Sequence, residues 1–130
     1  MKRSIFFIII AVLNGFFGLY MMLGTSTCAT QFGIDATPQA LSLLRNLGTI
    51  LFSLAVLDFM ARNEPDSKSM RAILVFNLLG HGLGIVFMCI DLMNGVIEFA
   101  KVAPGMAVPA IGTIGSLIYL LKMKIVASEK

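Results

Sequence analysis

Few side chains of this sequence could do chemistry, and the most unusual of them lies inside a long apolar segment. His81 is the only histidine, and it stands between Gly80 and Gly82 in the segment 72–95. An ionisable side chain is costly in lipid, so neighbouring segments must supply a partner or a cavity for it. An imidazole in such a cavity could bind a proton, a quinone-like headgroup or another small polar ligand.

A polar side chain near the middle of each apolar segment predicts a common layer. With a helical rise of about 1.5 Å per residue, one such residue of each segment falls at a similar depth. The four residues are Asn14, Ser53, His81 and Thr113. Such side chains commonly join membrane helices through hydrogen bonds that contribute about 0.6 kcal/mol each. We therefore favour a structural layer, and a ligand pocket around His81 is the alternative.

A second level of charge lies nearer one face of the membrane. Arg45 and Asp91 fall at similar depth, where Arg45 could pair with Asp91 inside the bundle or extend to the interface. Arg45, Thr49 and Ser53 are spaced four residues apart and share one helix face, which favours an inward-facing Arg45. The sequence thus allows an ion pair between Arg45 and Asp91.

A third level lies near the opposite face. Asp58 and Asn77 fall at similar depth on consecutive segments, where Asp58 could bond Asn77 or reach Arg62, four residues along its own helix. We expect a structural role for Asp58 that anchors the helix end.

No catalytic or metal-binding set is predicted. No serine, cysteine or carboxylate pair has a base at a usable spacing, so we expect the protein not to be an enzyme. One histidine and two separated cysteines do not supply the ligands of a metal site. We predict no cofactor. If the pocket around His81 binds a ligand, that ligand is expected to be a lipid or a quinone.

Cys28 and Cys89 are both predicted near the same face of the membrane. The sequence leaves open whether they form a disulfide.

Composition and run length indicate the fold class. Apolar residues make up 58% of the 130 residues and charged residues only 13%, more apolar and less charged than soluble domains of this size. Four apolar runs approach the roughly 20 residues needed to cross a bilayer. We predict an all-α membrane protein, a four-helix antiparallel bundle in a single domain, 1–130, with spans at about 4–23, 38–61, 72–94 and 107–122.

The connecting segments predict the helix boundaries. The run 4–23 also has features of a signal peptide, but it is longer than the usual apolar core, so we expect it to be retained. Thr37 and Pro38 predict the start of the second helix. The short charged stretch 62–71 predicts that the two helices it joins are antiparallel neighbours, and 96–106 suits an interfacial loop or short surface helix.

The distribution of basic residues predicts the orientation. Eight lie on one side of the predicted membrane and two on the other: Lys2, Arg3, Arg62, Lys68, Arg71, Lys122, Lys124 and Lys130 against Arg45 and Lys101. The richer side is expected to be cytoplasmic, which puts both termini in the cytoplasm and the connectors 24–37 and 95–106 on the periplasmic or lumenal side. These residues form no patch, so we do not predict nucleic-acid binding despite the net charge of +3.

Small residues predict where helices approach each other. Gly80 and Gly84 form a G-x-x-x-G spacing, and Gly112 and Ser116 form a similar pair. We interpret both pairs as packing faces within the bundle, with self-association as the alternative.

Two short motifs carry a family resemblance. An Arg-x-x-Gly enters the second segment at Arg45–Gly48, and an Asp-x-x-x-Gly leaves the third at Asp91–Gly95. With four spans, the chain resembles the small DoxX-like four-helix bacterial membrane proteins over most of its length, although its outer connectors are longer. The resemblance implies an inner-membrane bundle attached to redox or respiratory-chain biology.

Three functions fit these features. The first is a non-enzymatic accessory or scaffold subunit of a membrane complex, whose partners are membrane lipids and other membrane subunits or a second copy. The second is a protein that handles protons or a small ligand around His81. The third, a small multidrug exporter, ranks last because the charge bias opposes dual insertion and the first segment has no acidic residue.

Overall fold

The computed structural model describes residues 2–123, and this part of the chain is built from α-helices without strands. The helices are α1 (Arg3–Leu23), α2 (Thr25–Phe32), α3 (Pro38–Ala61), α4 (Lys68–Met93) and α5 (Phe99–Lys122). Four of them, α1, α3, α4 and the Gly105–Lys122 part of α5, are long and apolar enough to cross a membrane. The predicted all-α class with four candidate spans is confirmed. Lys124 and Lys130 lie outside the described residues.

Side-chain caps determine where α3 and α4 begin. The Thr37 hydroxyl accepts a hydrogen bond of 3.2 Å from the amide of Ala40, and Pro38 occupies the first turn. This confirms the predicted start of the second span. The Ser67 hydroxyl accepts a bond of 3.1 Å from the amide of Met70, so α4 begins four residues before the predicted boundary.

Two predicted connectors contain helix. The polar segment after α1 forms α2, which ends at Gly33 in the left-handed conformation. The segment 96–106 was predicted as a loop or short surface helix, but α5 runs without interruption from Phe99, eight residues before the predicted start. Its mixed polarity is that of an amphipathic turn: Val102 is buried, while Lys101 pairs with Glu98 at 2.9 Å on the outside.

The helices form two closely packed pairs, α1 with α3 and α4 with α5, and a smaller contact between α1 and α5 joins them. The α1–α3 crossing depends on glycine, since a Cβ atom on Gly48 would lie 2.7 Å from the Gly18 carbonyl oxygen. Helices α3 and α4 contact each other far less than either contacts its main partner. The short connection was predicted to make them antiparallel neighbours, but it does not make them a closely packed pair.

The apolar core fills one end of the bundle. Phe6 is fully buried and lies so close to α5 that a Cβ atom on Gly115 would be 2.1 Å from its ring. The Phe6 and Tyr119 ring centroids are 5.3 Å apart. At the same end, the Arg3 guanidinium bonds the Asp66 carboxylate and the Glu64 carbonyl oxygen. These contacts hold the start of α1 against the α3–α4 connection and the last turns of α5.

The glycine crossing predicts the effect of a single methyl group. We expect Gly48→Ala to lower the free energy of unfolding by about 1 to 3 kcal/mol, because its Cβ atom overlaps Gly18 and Met21. Gly84→Ala is the matched control, since no atom lies within 4 Å of a Cβ there. Thermal unfolding of the two purified variants in detergent measures the difference. Equal stability of the two variants would contradict the close crossing.

Candidate functional site

A buried carboxylate joins three helices. Asp58 of α3 is fully buried, and its carboxylate accepts a hydrogen bond of 2.6 Å from the Asn77 amide of α4. The Asn14 amide of α1 donates a second, longer bond of 3.5 Å. Both asparagines are fully buried as well. This cluster of Asp58, Asn14 and Asn77 links α4 to the α1–α3 pair.

The helix period explains why these residues face inward. On α4, Met70, Leu74, Asn77 and His81 are the buried residues, spaced at three and four along one face. On α3, Asp58 continues the buried face of Gly48 and Ala55. Asp58, Asn77 and His81 therefore lie on the same face of their helix as its buried apolar residues.

Among residues 2–123, no basic side chain forms an ion pair with the carboxylate. The Arg62 guanidinium lies 3.9 Å from the Phe59 ring centroid and donates a bond of 2.6 Å to the Phe59 carbonyl oxygen. The Asp58–Arg62 alternative is thus not formed, whereas the Asp58–Asn77 alternative is. Within residues 2–123 the ion pairs are Arg3–Asp66 and Lys101–Glu98.

The cluster brings together residues that were predicted to lie at different depths in the membrane. Asn14 was assigned to the middle layer and Asp58 to the level near the helix ends. These predicted depths require all helices to start from one plane. In the structure, α3 ends at Ala61 and the chain continues to Asp66 before it meets the start of α1 at Arg3. The end of α3 therefore lies deeper in the bundle than the start of α1.

His81 lies at the interface between α4 and α5. It is 7% exposed, and its ring packs so closely on α5 that a Cβ atom on Gly112 would be 2.3 Å from Cδ2. Its Nε2 atom and the buried Thr113 hydroxyl have no hydrogen-bond partner within the described chain. Of the predicted layer, Asn14, His81 and Thr113 lie inside the bundle, but these three described side chains are not hydrogen-bonded to one another.

Ser53 does not belong to this interior. It is exposed, and its hydroxyl donates a bond of 2.9 Å to the Thr49 carbonyl oxygen of its own helix. Ser53 and Asp58 are five residues apart, which separates their side chains by about 140° around a helix. Because α3 turns the Asp58 face inward, the Ser53 face points outward, and the predicted role of Ser53 in the layer is wrong.

The same rotation separates Arg45 from Asp91. Arg45 is exposed, and the Thr49 hydroxyl donates a bond of 3.0 Å to its carbonyl oxygen on the outer face of α3. Arg45 borders a small depression formed by residues 22–27 at the end of α1. The two side chains do not form the predicted ion pair, and the prediction of an inward-facing Arg45 is wrong.

A cavity of about 410 Å³ lies beside the cluster. Its walls are mainly apolar and come from all five helices, and the polar side chains among them are Asn14 and His81. Gly80 and Gly84 also line it, remain exposed, and have no atom within 4 Å of an added Cβ. The cavity therefore reaches the molecular surface along this side of α4.

The glycines do not all serve helix packing as predicted. Within the described chain, no atom of another helix lies within 4 Å of a Cβ added to Gly80 or Gly84, so the packing role predicted for this pair is wrong. Gly112 and Ser116 are both buried, and Gly112 packs against His81. Gly112 thus allows the close approach of α4 to α5, and the missing side chains of Gly80 and Gly84 leave space.

The two cysteines are the remaining candidates for chemistry, and neither lines the cavity. Cys28 and Cys89 are free thiols, so the disulfide that the sequence left open is not formed. Burial raises the pKa of the Cys28 thiol on α2. Among residues 2–123, no three histidine, cysteine or acidic side chains are grouped to hold a metal ion.

Comparison with known proteins identifies no relative: no family model, no curated protein and no solved structure matches the chain. The resemblance to the DoxX-like proteins stays a prediction. Among the residues of its two motifs, Gly48 lies at the α1–α3 crossing.

The unequal bonds to Asp58 predict unequal effects of the two asparagines. We expect Asn77→Ala to lower the free energy of unfolding by about 1 to 3 kcal/mol, because the buried carboxylate loses its shorter bond. Asn14→Ala should have a smaller effect, since its bond is 3.5 Å. Unfolding in detergent measures both variants, with Asn46→Ala on the exposed face of α3 as a control. A larger effect of Asn14→Ala would contradict this geometry.

Proposed function

We propose that this protein binds a small amphipathic molecule, quinone-like or lipid-like, within the membrane. The observation that carries the proposal is the cavity of about 410 Å³, whose apolar walls include His81 and Asn14. Ligand pockets in proteins commonly measure about 300 to 1,000 Å³ and combine apolar walls with a few polar groups. The two polar side chains would bind the carbonyl or hydroxyl groups of the headgroup.

The open side of α4 supports entry from the bilayer. Gly80 and Gly84 border the cavity at the surface, and the neighbouring Leu83 and Phe87 are exposed apolar residues that would face lipid. An apolar tail could leave the cavity across the two glycines without contact with a side chain at these positions. A membrane-soluble ligand would then reach His81 and Asn14 without crossing water.

The predicted role as an accessory subunit of a membrane complex is compatible with this proposal. A subunit that holds a quinone or a lipid needs no catalytic group of its own. We place ligand binding first because the cavity supplies a specific observation for it. The exporter and the DoxX-like assignment stay predictions.

We also propose a bacterial inner membrane with both ends of the chain in the cytoplasm. The eight-to-two distribution of Lys and Arg supports this orientation. The bonds from Arg3 to Asp66 and to the Glu64 carbonyl oxygen put the start of α1 and the α3–α4 connection at the same end of the bundle.

Reporter fusions test the orientation. Alkaline phosphatase, which is active only outside the cytoplasm, should be active when fused after Asp35 or Ile97 and inactive when fused after Asp66. Green fluorescent protein at the same positions should give the opposite pattern. The reverse result with both reporters would show that the bundle is inserted the other way round.

Ligand-induced stabilisation tests the proposed function. We expect the unfolding temperature of the purified protein to rise with decylubiquinone or with lysophosphatidylglycerol, and the more effective probe distinguishes a quinone from a lipid. A ligand at about 100 times its Kd stabilises the folded state by about 2.7 kcal/mol. Gly80→Leu should abolish the rise, because its side chain occupies the cavity border.

Val86→Leu is the matched control, since Val86 is exposed on the same helix and does not line the cavity. It should retain the full rise in unfolding temperature. Two results would overturn the proposal: neither probe stabilises the unaltered protein, or the rise persists undiminished in Gly80→Leu.

A further inference from the structure

In the part of the chain that the structure describes, the Asp58 carboxylate has hydrogen bonds but no ion pair. It is fully buried in the membrane-spanning part of α3, and its two donors are the neutral amides of Asn14 and Asn77. A carboxylate in such surroundings is costly unless a charge or a proton compensates it. The two amide bonds reduce this cost without removing the charge.

The charged groups on the surrounding elements are engaged elsewhere or lie apart. On α1, Arg3 bonds Asp66, and Arg62, directly after α3, bonds the Phe59 carbonyl oxygen. On α4, His81 lies one turn beyond Asn77, and its ring packs on α5 at Gly112. The other titratable groups of α4 and α5 near this end are Lys68, Arg71, Tyr119 and Lys122. Within residues 2–123, the side-chain partners of Asp58 are Asn14 and Asn77.

The oxygen atoms around Asp58 suit a proton better than a metal ion. The buried oxygen atoms Oδ1 of Asn14 and Oδ1 of Asn77 have no partner in the described chain. Together with the carboxylate they are fewer than the six to eight oxygen ligands that a calcium ion takes. A proton needs only one acceptor. Rotation of either amide would turn its Oδ1 atom toward a protonated carboxyl group, which is a hydrogen-bond donor.

We propose that Asp58 is a proton-binding site inside the membrane, with Asn14 and Asn77 as its hydrogen-bond partners in both states. In the ionised state both amides donate to the carboxylate, as in the structure. When a hydronium ion supplies the proton, one O–H bond breaks in that ion and one forms at Asp58. The carboxyl group then donates to an asparagine Oδ1 atom. Because Asn14 also lines the cavity, it connects Asp58 to the surface.

This site does not depend on a ligand in the cavity, and its test needs none. The full chain in lipid nanodiscs is titrated from acidic to alkaline buffer, and infrared difference spectra are recorded. We expect a carbonyl band of a protonated carboxyl group that disappears at alkaline pH and is lost in Asp58→Asn. Asp91→Asn, which changes a half-buried aspartate outside the cluster, should retain the band.

A second measurement tests the same proposal without the Asp58→Asn variant, in case that variant does not fold. Asp58 becomes the only aspartate when Asp35, Asp66 and Asp91 are changed to asparagine, and ¹³C-labelled aspartate then reports on it alone. A labelled carbonyl band that titrates supports the proposal. A carboxylate that stays ionised at every pH overturns it. A carboxylate band that shifts with sodium at fixed pH also overturns it, because it would indicate a metal cation site.

Discussion

The bundle depends on the hydrogen bonds that a single buried carboxylate accepts. The amide of Asn77 reaches Asp58 from α4 and the amide of Asn14 reaches it from α1. The helices otherwise form two pairs with little contact between α3 and α4. In lipid, apolar surfaces have no strong preference for each other over the acyl chains, so polar contacts contribute much of the specificity of helix association. The cluster, together with the contact between α1 and α5, therefore determines which faces of the two pairs meet.

The two pairs approach each other closely at one end and leave space at the other. Around Phe6 the side chains interlock with α5, whereas beside Asn14 the walls stand apart and enclose the cavity. Glycine has opposite effects in these two regions. At Gly48 and Gly115 it lets another element touch the backbone, while at Gly80 and Gly84 its missing side chain is not replaced by a neighbour.

The features correctly predicted from the sequence are those that depend on composition and on local signals. Four apolar segments and the cap at Thr37 were correct, because hydrophobic length and N-cap chemistry act locally. The predicted start of α5 was wrong because its first turns are amphipathic, and such a segment was predicted as an interfacial loop or a separate short surface helix. The layer and the Arg45–Asp91 pair failed for another reason: they require helix rotation and relative shift, and the interlocking of side chains across helices sets both. An aspartate and two asparagines in three apolar segments were the available signal for the cluster.

The contact between α1 and α5 also determines the order in which the bundle can be completed. A membrane protein inserts from its N-terminus as it is synthesised, so Phe6 enters the membrane long before Gly115 and Tyr119 exist. Until α5 arrives, the aromatic face of α1 must rest against lipid or against another protein. Helix α1 thus finds its final packing partner only after α5 has been made, and the core around Phe6 closes only at that step.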